Sequence, residues 1–110
     1  MGFFTIYPAP GLDEFGYQRA LCSGPAAVSM GRRDVREILR SAGFAHTEET
    51  DLTREFLITA KAWLAGRARH TDEISDAMGR QAFVTRQTES QTQIDAIERG
   101  LLRRGLFLAW

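Results

Sequence analysis

Apolar residues fall into three short runs separated by longer stretches with helical spacing. Gly105-Leu106-Phe107-Leu108-Ala109-Trp110 shows no alternation with polar positions, the pattern of a strand buried on both faces, and it is too short for a free-standing helix. It predicts a central strand. Phe3-Phe4-Thr5-Ile6-Tyr7 is rich in aromatic and β-branched residues and reads as a first strand. Pro8-Ala9-Pro10-Gly11 stops it, because proline cannot donate to a ladder and Pro-Gly favours a turn. Phe44 to Asp51 reads as a second strand, with Glu48 and Glu49 charged where an outer edge needs protection against pairing.

Between these runs the period changes to 3.6. Asp13 to Leu21 predicts a short helix, with Asp13 and Glu14 in the first turn against the dipole, weakened by Gly16 and ended by Gly24-Pro25. Gly31 marks a further interruption. Val35, Ile38, Leu39 and Ala42 lie at i, i+3, i+4 and i+7 on a helix from Asp34 to Ala42, which Gly43 closes. Asp51 or Thr53 caps the next helix, where Phe56, Ala60, Trp63, Leu64 and Arg67 share one face. Thr71 to Ile74 either continues that helix or starts another, and Gly79 ends the stretch. A last helix from Gln81 to Arg99 buries Phe83, Ile94 and Ile97. Its middle, Thr85 to Gln93, has no apolar residue and is expected to face solvent.

Strand, helices, strand is a crossover unit, so the first two strands are expected to run parallel, with the helices on one face and a right-handed connection. The chain returns through two helices to a strand that needs cover on both sides. That strand is expected to insert between the others, antiparallel to both, in the order first, third, second. The outer edge of Phe3 to Tyr7 is then left without a partner. The resulting fold class is α/β with a three-stranded mixed sheet in one partial domain. Residues 1–53 form strand, helix and strand, 54–100 a helical insertion, and 101–110 the final strand. A first strand so close to Met1 reads as the cut edge of a larger sheet.

Composition narrows the function classes. A chain of 110 residues can bury about two thirds of its unfolded surface. With 14 basic and 14 acidic residues, no global field draws it to nucleic acid or an anionic membrane. Cys22 stands alone, so no intramolecular disulfide forms and no thiolate zinc site is available, which suits a cytoplasmic location. No apolar run reaches membrane-spanning length.

Candidate chemistry is sparse. His46 and His70 are far apart and belong to no His-Glu-x-x-His pattern, so both read as surface residues and no metal site is expected. Cys22 reads as a small buried residue. Arg103 and Arg104, adjacent on a strand, point to opposite faces and cannot form one phosphate patch. Glu48-Glu49 reads as edge protection before acid-base chemistry. Tyr7, at the C-terminal end of its strand, lies where ligands bind in open α/β sheets.

Several segments, in order, resemble the C-terminal portion of a class I S-adenosylmethionine-dependent methyltransferase, from its fifth strand onward. They are Phe4-Thr5-Ile6-Tyr7-Pro8-Ala9-Pro10-Gly11-Leu12, Ala42-Gly43-Phe44, Asp51-Leu52-Thr53-Arg54-Glu55-Phe56 with Ala62-Trp63-Leu64, and Ile97-Glu98-Arg99-Gly100-Leu101-Leu102-Arg103-Arg104 with Leu106-Phe107-Leu108-Ala109. The resemblance implies a partial Rossmann-like fold with two helices inserted before the last strand, and an antiparallel last strand between its neighbours. It implies S-adenosylmethionine as cofactor and a small-molecule acceptor. It also implies that the inserted helices cover the acceptor, making Phe56 and Trp63, with Tyr7, candidate pocket residues, although core packing is the plainer reading of Phe56 and Trp63. The family's cofactor half, with its glycine-rich turn, has no counterpart: no two of the ten glycines form a Gly-x-Gly pair, so no cofactor-binding residue carries over. The expected partner is a complementary chain carrying that half, with activity absent without it. The alternative is a non-catalytic module that dimerises through Phe3 to Tyr7.

Overall fold

The computed structural model describes residues 1–24 and 34–110. In chain order the elements are β1 (Gly2–Pro8), α1 (Glu14–Ser23), α2 (Val35–Ser41), β2 (Thr47–Asp51), α3 (Thr53–Arg69), α4 (Thr71–Met78), α5 (Arg80–Glu98) and β3 (Leu102–Ala109). The interruptions expected at Pro25 and Gly31 lie outside the described residues.

The sheet has the order β1-β3-β2. β3 is antiparallel to both neighbours, with Phe3 opposite Phe107, Tyr7 opposite Arg103, and Glu49 opposite Phe107 on the other side. β1 and β2 share a direction but are not adjacent, so every ladder is antiparallel and the expected mixed sheet contains no parallel pair.

The hydrogen bonds fix which way each backbone group points. The Ala9 N–H donates to the Leu101 carbonyl at 2.9 Å and the Ala109 N–H to that of Met1 at 2.8 Å. His46 and Trp110 exchange bonds of 3.0 and 3.1 Å, and the Leu52 N–H donates to the Arg104 carbonyl at 2.8 Å. Because directly opposed antiparallel residues alternate between bonded and non-bonded pairs, odd-numbered residues of β3 bond to β1 and even-numbered ones to β2. On β1 the amides and carbonyls of Gly2, Phe4 and Ile6 therefore point away from the sheet. Pro8 belongs to the same outward set, where its missing N–H costs no ladder bond.

Both faces of β3 are apolar, so both need cover. On one, Leu102 packs with Ala20 of α1 and Ala96 and Ile97 of α5, flanked by Ile6, Phe56 and Leu57. On the other, Phe107 and Ala109 pack with Val35 and Leu39 of α2, flanked by Phe3, Tyr7 and Phe44. The crossover helices were expected on one face. Instead α1 and α2 cover opposite faces, because Phe107 and Ala109 would otherwise be open to water.

Two helices end in the same way and hand over directly to strands. After α2 the Gly43 N–H donates to the Arg40 carbonyl and the Phe44 N–H to that of Leu39, with Gly43 at φ 102°. After α5 the Gly100 N–H donates to the Ile97 carbonyl and the Leu101 N–H to that of Ala96, with Gly100 at φ 77°. Both are Schellman closures, which need a left-handed residue that glycine supplies without a Cβ clash. Phe44 is consumed in the first closure, which is why β2 starts at Thr47 and not at Phe44. As expected, β2 is an outer strand with most of its residues exposed.

The helical insertion differs in number from expectation. Three helices, not two, separate β2 from β3. One break falls at His70, and Gly79, at φ 91°, makes the other. α3 starts against the sheet: the Asp51 carboxylate accepts from the Thr53 N–H at 3.0 Å and its hydroxyl at 2.5 Å, while that hydroxyl accepts from the Arg104 N–H at 3.0 Å. These two hydrogen bonds from Thr53 hold the Asp51 carboxyl below its usual range.

Candidate functional site

The apolar stripe of α3 does not end in the core. Phe56, Ala60, Trp63 and Arg67 follow one another at four, three and four residues, hence on one face. The first part of the stripe packs on the sheet. The rest, with the facing side of α5, lines a cavity of about 700 Å³ that Ile6 of β1 and Cys22 of α1 also border. On α5 the lining residues are Arg86, Thr88, Glu89, Ser90, Thr92 and Gln93, of which Arg86, Glu89, Ser90 and Gln93 share one helical face. The stretch without apolar residues was expected to face solvent, and most of it does, while its half-buried Ser90 and Gln93 line this cavity.

Arg67 is the most constrained charge in the wall. Its Nε donates to Gln87 Oε1 at 2.7 Å and its Nη2 to Ser90 Oγ at 2.8 Å. Gln87 is held in turn, donating from Nε2 to the Leu64 carbonyl at 3.2 Å. The guanidinium is half-buried and bonded to neutral acceptors. Among the described residues no carboxylate lies within ion-pair distance of it.

Below the cavity Arg104 lies over Phe56 at 4.4 Å and over Phe4 at 5.3 Å from the ring centroids. Arg103, one residue earlier, is exposed and opposite Tyr7. The two arginines occupy opposite faces and form no common anion patch.

Of the three expected pocket residues, the structure brings two together. Phe56 and Trp63 line the cavity, but Trp63 is 58% exposed and is a rim residue, so core packing does not describe it. Phe56 packs partly against the core. Tyr7 lies on the opposite face, where its ring meets Phe107 edge-on at 5.6 Å and its hydroxyl donates to Glu49. Burial, the Glu49 hydrogen bond and the nearby carboxylate charges push the Tyr7 phenol well above its ordinary pKa. It therefore stays protonated as a donor. Glu49 also faces Arg36, whose Nε is 3.7 Å away and whose Nη2 is 3.2 Å from Asp34. At Asp34 burial opposes ionisation, but hydrogen bonds from the Arg36 backbone and guanidinium outweigh it and lower the pKa. This network ties α2 to β2 across the end of β1, with Glu49 satisfied inside it.

The remaining candidates are dispersed. Cys22 is exposed, not buried. His46 is exposed and stacks on Trp110 at 5.6 Å, and His70 stands between α3 and α4 with Nδ1 3.7 Å from Glu73. Among the described residues no three His, Cys, Asp or Glu side chains gather where a metal ion could be held, and no helix is long and apolar enough to cross a membrane. Among the described residues, none form a cradle that fits the cofactor the sequence resemblance implies. The positive-φ glycines Gly11, Gly43, Gly79 and Gly100 stand at four separate turns, each opening onto empty space rather than forming a common cradle. Comparison with protein-family models and with curated proteins gives no match.

Leu102 is fully buried and Trp63 is not, which separates the sheet core from the cavity rim. Urea unfolding should show a loss of about 2–5 kcal/mol for Leu102→Ala and below about 1 kcal/mol for Trp63→Ala.

Proposed function

We propose that this chain forms the distal part of an S-adenosylmethionine-dependent methyltransferase domain acting on a small molecule, with the cofactor held by a separate half that pairs with β1. Alone it is inactive. The observation that carries this reading is the sheet: β3 sits antiparallel between β1 and β2, and the outward amides and carbonyls of Phe4 and Ile6 offer a ladder to another strand. Phe4 is 57% exposed on that edge. The segments that resemble the family run in the same order as these elements. The missing half would supply both the strand that covers the edge and the glycine-rich turn that the chain lacks, so a single partner meets both needs. The DNA upstream of the Met1 codon tests this. It is expected to encode, in the same or a shifted frame, a strand followed by a glycine-rich turn and a helix. Unrelated sequence there contradicts the proposal.

The same edge favours a second reading, a non-catalytic module in which β1 pairs with its twin in a symmetric dimer and a continuous six-stranded sheet. Light scattering then gives a dimer. Phe4→Pro, which removes an outward N–H and no bond to β3, converts it to a monomer. A monomeric parent chain rules this reading out.

A further inference from the structure

We propose that the cavity between α3 and α5 binds a small aromatic carboxylate, with the ring against Trp63 and Phe56 and the carboxylate on Arg67. Its volume of about 700 Å³ is within the range of small-molecule sites, and its lining divides between an apolar side and a polar side. Ile6, Phe56, Ala60 and Trp63 supply the apolar side from three successive turns of α3 and the adjoining strand.

The polar side selects charge. Arg67 spends Nε and one Nη2 hydrogen on Gln87 and Ser90, which fixes the plane of the guanidinium and leaves its other hydrogens free. Neutral acceptors orient it without cancelling its charge. A half-buried guanidinium held this way favours a planar anion, which it can grip through two parallel bonds. Arg86 adds a second positive charge at the rim. Glu89 is the one acid in the lining, so cations outnumber it two to one. An aromatic ring is preferred to an alkyl chain because the exposed Trp63 face offers stacking as well as burial.

The proposal rests on the methyl-transfer reading only in identifying this ligand as the acceptor; binding needs no cofactor half. The two therefore fail separately. Binding without an upstream cofactor sequence keeps the site and removes the transfer, and an upstream cofactor sequence without binding removes the acceptor assignment alone.

The test uses the full chain carrying Trp110→Phe, so that Trp63 gives the only indole N–H resonance. Cinnamate and its neutral amide, cinnamamide, are titrated while that resonance is followed by NMR. Cinnamate is expected to move it saturably, and cinnamamide to bind about ten- to hundredfold more weakly, the span of a lost charged hydrogen bond. Arg67→Met should remove the preference and Arg67→Lys keep part of it. Equal affinity for acid and amide, or no saturable shift from either, overturns the proposal. A preference that survives in Arg67→Met overturns the role of Arg67. The acid–amide comparison needs no change at Arg67, so it decides the matter even where Arg67→Met does not fold.

Discussion

β3 is hydrogen-bonded along both edges and carries a buried apolar side chain on each face, and most of the structure follows from satisfying those four sides. Its odd-numbered backbone groups are satisfied by β1 and its even-numbered ones by β2. Leu102 and Phe107, 0% and 1% exposed, then require a helical layer on each face. α2 covers one face through Val35 and Leu39, and α1 and α5 cover the other through Ala20, Ala96 and Ile97. Among the described residues no strand lies outside β1, and that edge is open.

The same strand sets the position of the cavity. The Arg104 backbone N–H holds the Thr53 hydroxyl, Thr53 is held by Asp51, and α3 therefore leaves the sheet at a fixed point. The Arg104 side chain stacks under Phe56 and supports the first turn of the stripe. From there α3 runs beside α5, with the small residue Ala60 allowing space between them and Trp63 and Arg67 at the opening. α5 in turn is fixed at its far end by the Schellman closure at Gly100, which returns the chain to β3. The cavity is thus bounded by helices anchored to the central strand at both ends of the insertion.

Strand order was legible because a fully apolar C-terminal run admits a position only between two other strands. The helix-closing role of Gly43 was legible for a local reason, the left-handed residue that the closure needs. The number of inserted helices was not, since a break at His70 depends on how α4 packs back on its neighbours and leaves no proline or glycine behind. The split of α1 and α2 between two faces was hidden because amphipathic spacing says that a helix is covered, not by which face of the sheet. The α3 stripe was readable as one face, yet nothing in its spacing separates a core lining from a cavity lining. The polar middle of α5 carried that signal, and it can be read only once the two helices are placed side by side. Tyr7 pairs with Glu49 across three strands, a contact set by register and invisible in linear order.

Residue-resolved amide exchange on the chain alone tests the open edge of β1 most directly, because protection requires a hydrogen-bond partner and local stability. Thr5 and Tyr7, which face β3, should exchange slowly, and Phe4 and Ile6, which face outward, should exchange fast. Slow exchange at all four positions would contradict the open edge, and fast exchange at all four would contradict the central placement of β3.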